Sequence, residues 1–226
     1  MVLVTGGAQG LGASIVNIFA RNHYDVIIGY LSNYDKAIKL CEKVNEKYNV
    51  NCIVKKIDVT SEKDVKDLFS EYDIDIVVNN AALSLDNYIE DKSYDEFMKV
   101  VSVNLGGTYL VNKYSKDAKV IINISSRDGI DTYNPISVDY SSSKAGIINL
   151  TKNLSLYYGD KKIYVVCPGW INTESVREMN PKYLEDEMKR IGQNELLDKD
   201  YVASKIFDLI NSNIDSGSVV IIDEER

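Results

Sequence analysis

The chain has 226 residues and carries 26 Lys and Arg against 34 Asp and Glu, a net charge of −8, with 27% charged and 45% apolar residues. That length suits one α/β domain with a sizeable core, and the acidic balance argues against a general nucleic-acid binder, docking on anionic lipid or a strongly acidic protein partner. Cys41, Cys52 and Cys167 lack metal spacing and read as reduced core thiols of a cytosolic protein; no run reaches membrane-spanning length, and a strand from the first residues leaves no room for a targeting segment.

Val2–Val4 is an apolar run of strand type. Thr5-Gly6-Gly7-Ala8-Gln9-Gly10-Leu11-Gly12 follows, and Leu11, Ile15, Ile18 and Phe19 then recur at helical spacing. Strand, glycine turn and helix form the setting of a dinucleotide site. Glycines let the backbone approach a pyrophosphate, and a helix start offers free N–H groups and positive potential. A plain tight turn is the simpler alternative; the flanking strand and helix favour the cofactor. Asp25–Gly29 reads as the second strand, and its end decides the adenosine pocket. An acid there would accept from a ribose 2′-hydroxyl and repel a 2′-phosphate. Tyr30 stands in that place, followed by Ser32 and Asn33, which can donate to a phosphate. NADP(H) is therefore favoured over NAD(H). Lys36 could add a positive charge, although a solvated lysine is the simpler reading.

Ala37, Leu40, Cys41, Val44 and Tyr48 mark the next helix face. Cys52–Ile57 is a third strand ending in Asp58-Val59. The Asp58 carboxylate could accept from an adenine amine or cap the helix bearing Val65, Leu68 and Phe69; Thr60 or Ser61 is the better cap. Ile74–Val78 is a central strand by its uniform apolarity, closed by Asn79-Asn80-Ala81-Ala82. After a loop, one helix is expected from Tyr94 to about Lys113. Asn104 lies inside it and Gly106-Gly107 suggests a local kink. Val120–Ile124 is the fifth strand, with Ser125-Ser126 at its carboxyl end, where open parallel sheets bind ligands.

Tyr140-Ser141-Ser142-Ser143-Lys144 opens the next helix, with Ile147, Leu150, Leu154 and Tyr157 expected to face the sheet. Positions i and i+4 share a face, so a phenol and an ammonium would point into the same space. The ammonium favours phenolate and draws the Tyr140 pKa towards neutrality, which suits proton transfer to or from a reacting oxygen. Ile163–Cys167 is a sixth strand ending in Pro168-Gly169-Trp170-Ile171-Asn172-Thr173. Residues 174–197 are charged and irregular in pattern and read as a mobile lid. A helix over about Asp200–Asn213 precedes a last strand, Val219–Ile222. Alternating strands and helices with right-handed crossovers make a doubly wound parallel sheet of seven strands, helices on both faces, in one Rossmann-type domain.

In order and context, the Thr5–Gly12 turn, Asp58-Val59, Asn79–Ala82, Asn104, Ser126, Tyr140 with Lys144, and Pro168–Thr173 resemble the short-chain dehydrogenase/reductase family, nearest its 3-oxoacyl-(acyl-carrier-protein) reductase-like members. The resemblance implies strand order 3-2-1-4-5-6-7 and hydride transfer between a nicotinamide cofactor and a ketone or secondary alcohol. It implies Tyr140 as general acid or base, Ser126 as donor to the substrate oxygen, and Lys144 on the nicotinamide ribose. Asn104 would hold a water in a proton relay. Thr5, Gly6, Gln9, Gly10, Leu11, Gly12, Asp58, Val59, Asn79, Asn80, Ala81, Pro168 and Gly169 would frame the cofactor. Thr173 and the backbone of Ile171 would orient its carboxamide. Gln9 stands where relatives often carry Arg, Ala82 where they carry Gly, and Glu224-Glu225 where Gly-Gly is frequent. The segment Asn104–Ser126 is short, which sets a standard tetramer in doubt within an expected homo-oligomer. An acyl carrier protein is a partner the acidic chain does not favour. A non-catalytic dinucleotide-binding sensor or scaffold is the alternative. It would keep the glycine turn and lose part of the proton relay, whereas Asn104, Ser126, Tyr140 and Lys144 are all present.

Overall fold

In the computed structural model, which describes residues 1–224, the apolar runs form β1 (Val2–Thr5), β2 (Val26–Tyr30), β3 (Cys52–Lys56), β4 (Ile76–Asn79), β5 (Val120–Ile124), β6 (Lys162–Pro168) and β7 (Val219–Ile222). All pair in parallel in one sheet of order β3-β2-β1-β4-β5-β6-β7. Alternate residues of one strand serve opposite faces. Val2 and Val4 join one apolar cluster, and Leu3 between them joins the other. Helices α1 (Gly10–Arg21) and α2 (Tyr34–Tyr48) cover the first face. Helix α3 (Glu62–Glu71), capped by Ser61 through the Asp64 N–H, covers the second.

The helix expected from Tyr94 to about Lys113 is α4 (Tyr94–Val101), a π-helical turn (Ser102–Gly106) and α5 (Gly107–Tyr114). The kink suggested by the paired glycines is this turn, which carries Asn104 at its centre. Gly107 lets the segment close on β3's exit: a Cβ there would lie 2.6 Å from the Val59 side chain. Helix α6 (Val138–Tyr158) packs on the same face as α5. Ile147 and Leu154 face inward as expected. Tyr157 does not; it is 79% exposed. Tyr158, about three full turns beyond Ile147, takes the inward place.

Residues 174–197 are more regular than their charge pattern suggests. They form α7 (Glu174–Arg177) and α8 (Pro181–Ile191). Asn180 caps α8 through the N–H groups of Lys182 and Tyr183, Pro181 sits in its first turn, and Gly192 ends it at φ 71°. Helix α9 (Lys199–Asp208) packs beside α1 on the first face. Glu224 accepts from the Glu195 N–H at 2.7 Å and so ties the segment after α8 to the chain end; Glu225 lies outside the described residues. No helix among the described residues is long and apolar enough to cross a membrane.

A polar link runs through the apolar layers. Asn123 of β5 is fully buried. Its Oδ1 accepts from Asn79 at 2.8 Å and from Asn112 at 3.0 Å, and its Nδ2 donates to Thr151 at 2.9 Å. β4, β5, α5 and α6 are thereby held in one register, because breaking any member leaves buried polar atoms unpaired.

Candidate active site

The glycine turn is built by contacts as much as by conformation. Gly6 and Gly10 adopt φ of 62° and 56°, which favour glycine. A Cβ on Gly12 would stand 2.3 Å from the Gly6 carbonyl oxygen, and one on Gly6 would stand 2.9 Å from the Ala81 Cα. The Asn79–Ala81 segment supplies the clamp. Thr5 Oγ1 accepts from the N–H groups of Asn80 and Ala81 at 3.0 and 3.1 Å, and Asn80 Nδ2 donates to the carbonyls of Thr5 and Gly6, each at 3.1 Å. Helix α1 starts at Gly10 with no side-chain cap and no acid in its first turn, and Leu11 buries behind it. Its first N–H groups and positive potential thus lie at the glycine turn. These features fit a dinucleotide pyrophosphate.

The flanking residues fall around this turn. Thr173 lies across from it, its Cγ2 3.6 Å from where a Gly10 Cβ would be, and it caps α7 through the Val176 N–H. Ile171 bridges to Leu197. Pro168 ends β6, and Gly169 leaves room for Gln193, whose side chain accepts from the Trp170 N–H and donates to the Trp170 carbonyl, both at 2.8 Å. Gln193 has no periodicity signal in the sequence. Tyr30 ends β2 and packs against Tyr34 with ring centroids 5.6 Å apart. Ser32 and Asn33 form the following turn, and Asn33 makes no side-chain cap to α2. Asp58 accepts from the N–H and hydroxyl of Thr60 at 2.9 and 2.7 Å, while Val59 is buried against Gly107.

Tyr140 and Lys144 share one face of α6, with the ammonium 5.3 Å from the phenol ring centre. Lys144 donates to the Ile124 carbonyl at 2.9 Å, and Ser125 donates to the Lys144 carbonyl at 2.8 Å. Ser125 is thus a structural hydroxyl. Ser126 opens a short 3-10 turn, Arg127–Gly129, and accepts from the Asp128 N–H at 3.1 Å. Gly129 lets this turn rest on α6: a Cβ there would lie 2.7 Å from the Lys144 carbonyl carbon. That contact brings Ser126 to Tyr140, near enough for the serine hydroxyl to favour the phenolate.

The expected pull of Lys144 on Tyr140 is not what dominates. Burial pushes the phenol well above the usual tyrosine range; the Asp128 charge adds to this, and the Ser126 hydroxyl opposes it. Burial also lowers the Lys144 ammonium, to about 8. The ammonium faces the ring and the Ile124 carbonyl, so the low dielectric disfavours both ions.

Asn104 is buried with no exposed surface. Its Oδ1 accepts from the Leu83 N–H at 2.8 Å, and its Nδ2 donates to the Leu83 carbonyl at 2.9 Å and to Ser143 at 3.0 Å. Both amide hydrogens are taken, so the side chain pins loop 83–93 to α6. Asn104→Ala orphans both Leu83 backbone groups, and a stability loss of about 2–4 kcal/mol is expected in urea titration. The same loop is held at its far end by Lys92, which donates to Asp139 at 2.7 Å in a pair with side-chain exposures of 2% and 0%. Asp139 Oδ1 in turn accepts from the Tyr140 N–H at 2.9 Å. The sequence offers no pattern for this pair, whose members are 47 positions apart.

Residues 127–139 also meet α8. Asn134 donates to the Tyr183 hydroxyl at 3.0 Å and to Glu187 at 3.1 Å, and Arg190 donates to the Tyr133 carbonyl. The Asp86 and Asp128 charges both act on the Tyr140 phenol and raise it.

Known proteins resemble this chain in sequence and in fold. The family described as short chain dehydrogenase matches residues 1–184. The chain is 34% identical over 200 residues to a 3-oxoacyl-(acyl-carrier-protein) reductase of Aquifex aeolicus, covering 81% of this chain and 80% of the relative. It is 32% identical over 217 residues to 3beta-hydroxysteroid dehydrogenase 1 of Eggerthella lenta, covering 90% and 81%. Among solved structures, a 3-oxoacyl-(acyl-carrier protein) reductase of Brucella melitensis with bound NAD superposes with a TM-score of 0.86 at 26% identity, over 98% of this chain and 88% of that one.

Proposed function

Because the chain belongs to the short-chain dehydrogenase family, a nicotinamide-dependent oxidoreductase acting on CH–OH or C=O groups, we propose that it exchanges hydride between NADP(H) and a small polar ketone or its secondary alcohol. The observation that carries this reading is the joining of Ser126, Tyr140 and Lys144 at one strand edge beside the uncapped start of α1.

In this reading the turn Thr5–Gly12 and the α1 N–H groups hold the pyrophosphate. Asp58 and Val59 border the adenine. Asn79, Asn80 and Ala81 brace the turn. Pro168, Gly169, Ile171 and Thr173 flank the nicotinamide, and Lys144 binds its ribose. When bound, the reduced nicotinamide supplies the hydride; the protein supplies position and proton. In the reduction direction the carbonyl carbon gains hydride and its oxygen gains charge. The hydroxyls of Tyr140 and Ser126 meet that charge as two preplaced donors. Tyr140 passes its proton to the oxygen and is left as phenolate, which the neighbouring Lys144 ammonium stabilises. Burial keeps the phenol protonated across neutral pH, which suits an acid. Asn104 acts as a positioning residue for loop 83–93 and α6.

The preference for NADP(H) is supported by Tyr30, Ser32 and Asn33 at the end of β2, where no carboxylate repels a 2′-phosphate. The polar side chains of Asp86, Asp128, Asn134 and Glu187 support a compact hydroxylated substrate over a long acyl chain. A 3-oxoacyl thioester is the second candidate, favoured by the Aquifex relative. The deciding experiment titrates the protein with NADPH and NADH, following energy transfer from Trp170 and the tyrosines to the reduced nicotinamide. NADPH is expected to bind about tenfold tighter, as one charge-assisted contact provides. Tighter NADH would overturn the cofactor reading, and binding of neither would overturn the enzyme's assigned cleft.

A further inference from the structure

Where the sheet stops, the exit of β6 is held by a side chain. Gly169, the first residue past β6, still donates its N–H to the Ile222 carbonyl of β7 at 3.3 Å. Trp170 beyond it pairs with Gln193, which lies just after the end of α8. Besides its two bonds to the Trp170 backbone, Gln193 donates through Nε2 to the Glu195 carbonyl at 2.7 Å. A primary amide offers an acceptor and two donors, and here all three are used on backbone groups, so Gln193 stands in for a further strand. Two backbone bonds extend the hold: the Leu197 N–H donates to the Trp170 carbonyl and the Asn172 N–H to the Leu197 carbonyl, both at 2.9 Å. The residues after α8 are in turn tied to the last described residue. The Glu224 carboxylate accepts from the N–H groups of Asn194 and Glu195 and from Asn194 Nδ2.

We propose that Gln193 is a positioning residue for the nicotinamide: it fixes the exit Pro168–Thr173 that flanks the ring, and Glu224 acts through it. Gly169 supplies an independent observation. Its backbone lies outside the left-handed region, so conformation does not demand glycine there. Space does. A Cβ at Gly169 would lie 2.4 Å from Gln193 Oε1 and 3.2 Å from its Cδ, and the three nearest atoms all belong to Gln193. The glycine and the glutamine are therefore one device: the missing side chain is the room the amide needs to reach Trp170. With Trp170 held at both backbone groups, Ile171 and Thr173 are carried in a fixed place beside the glycine turn. Hydride transfer is sensitive to such placement, since a misplacement of about 1 Å can slow a reaction about 10²-fold. An exit ordered before the cofactor arrives also removes the loss of freedom that binding would otherwise impose. Glu224 contributes because a glycine in its place would offer the turn after α8 no acceptor.

This inference rests on the reading of the cleft as a nicotinamide dinucleotide site, and the experiment separates the two. Trp170 is the single tryptophan, so its fluorescence anisotropy in the protein without cofactor reports the hold directly. Gln193→Ala is expected to lower that anisotropy, to weaken NADPH about fivefold in calorimetry and to slow the single-turnover hydride step about tenfold. Adenosine 2′,5′-bisphosphate, which has no nicotinamide, is expected to bind within about twofold of the parent; NADH and ADP-ribose replace these probes if the parent prefers NADH. Gln193→Glu keeps the size of the side chain but sets a carboxylate against the Trp170 and Glu195 carbonyls, and it is expected to lose at least as much as the alanine variant. Gly169→Ala displaces the amide, so it is expected to give the same losses alone and to add none in the Gln193→Ala background. Glu224→Ala is expected to weaken NADPH about twofold with the adenosine probe unchanged. A parent that binds no dinucleotide overturns the cleft reading. If the parent binds and Gln193→Ala weakens dinucleotide and adenosine probe alike, or leaves anisotropy and both affinities unchanged, the role of Gln193 is overturned while the cleft reading stands. Parent-like behaviour in Gln193→Glu, or a full further loss from Gly169→Ala in the Gln193→Ala background, overturns it as well. No change in Glu224→Ala overturns that residue's share in the hold.

Discussion

Tyr140→Phe is expected to lower turnover about 10²–10⁴-fold, the usual contribution of a positioned general acid, while NADPH still binds. The substitution removes one oxygen from a side chain whose ring contact with Lys144 remains. What is lost is the proton and one of two donors to the developing oxyanion. Single-turnover rates beside the fluorescence titration separate the effects: an unchanged titration with a collapsed rate assigns the loss to chemistry. Full activity in the variant would refute the mechanism. A residual rate that Ser126→Ala then abolishes would show that the remaining hydroxyl still stabilises charge.

Lys144→Met is expected to move stability and turnover in opposite directions. Burial lowers the ammonium from 10.5 to about 8, which means the fold disfavours the charge it carries at pH 7. A displacement of that size is worth about 3 kcal/mol, offset by about 1 kcal/mol for the hydrogen bond to the Ile124 carbonyl. At pH 7 the variant should therefore unfold at higher denaturant than the parent and turn over more slowly. Below pH 8 both folded and unfolded Lys144 are protonated and the penalty is complete. Between pH 8 and 10.5 the unfolded chain holds the proton that the folded chain has lost, so the parent gains stability as pH rises. The gap between variant and parent should narrow across that window. Urea midpoints at pH 7 and pH 10 measure it; a constant gap would mean that Lys144 is not held against its charge.

The sheet and the glycine turn were legible because each is written within one stretch of chain. Val2–Val4 and Val120–Ile124 are uniform apolar runs, and parallel strands buried on both faces need little else. Tyr140 and Lys144 were legible for the same reason, as they share a helix face four residues apart. The features that escaped are made between elements. Asn123 stands inside an apolar strand and looks like an interruption until Asn79, Asn112 and Thr151 are placed around it. Lys36 reads as a solvated lysine because its acceptor Glu174 lies 138 positions away. Helix α8 was hidden differently. Its capping residues Asn180 and Gly192 were visible, but charges on most of its surface left too narrow an apolar seam to reveal its period. The downward pull on Tyr140 was overestimated because spacing places two charges on one face and says nothing of the solvent removed from around them.

The buried pair of Lys92 and Asp139 limits how this protein can be rebuilt. Loop 83–93 borders the cleft and is the natural piece to exchange when a new substrate is wanted. A transplanted loop without the lysine would strand the Asp139 carboxylate, and breaking such a pair from one side costs about 3–5 kcal/mol. The stranded group is also the acceptor for the Tyr140 N–H, so the damage would fall on the first turn of α6. Loop and helix start are therefore one heritable unit: a graft that carries both can change what the cleft accepts, and a graft that carries one cannot leave the other as it was.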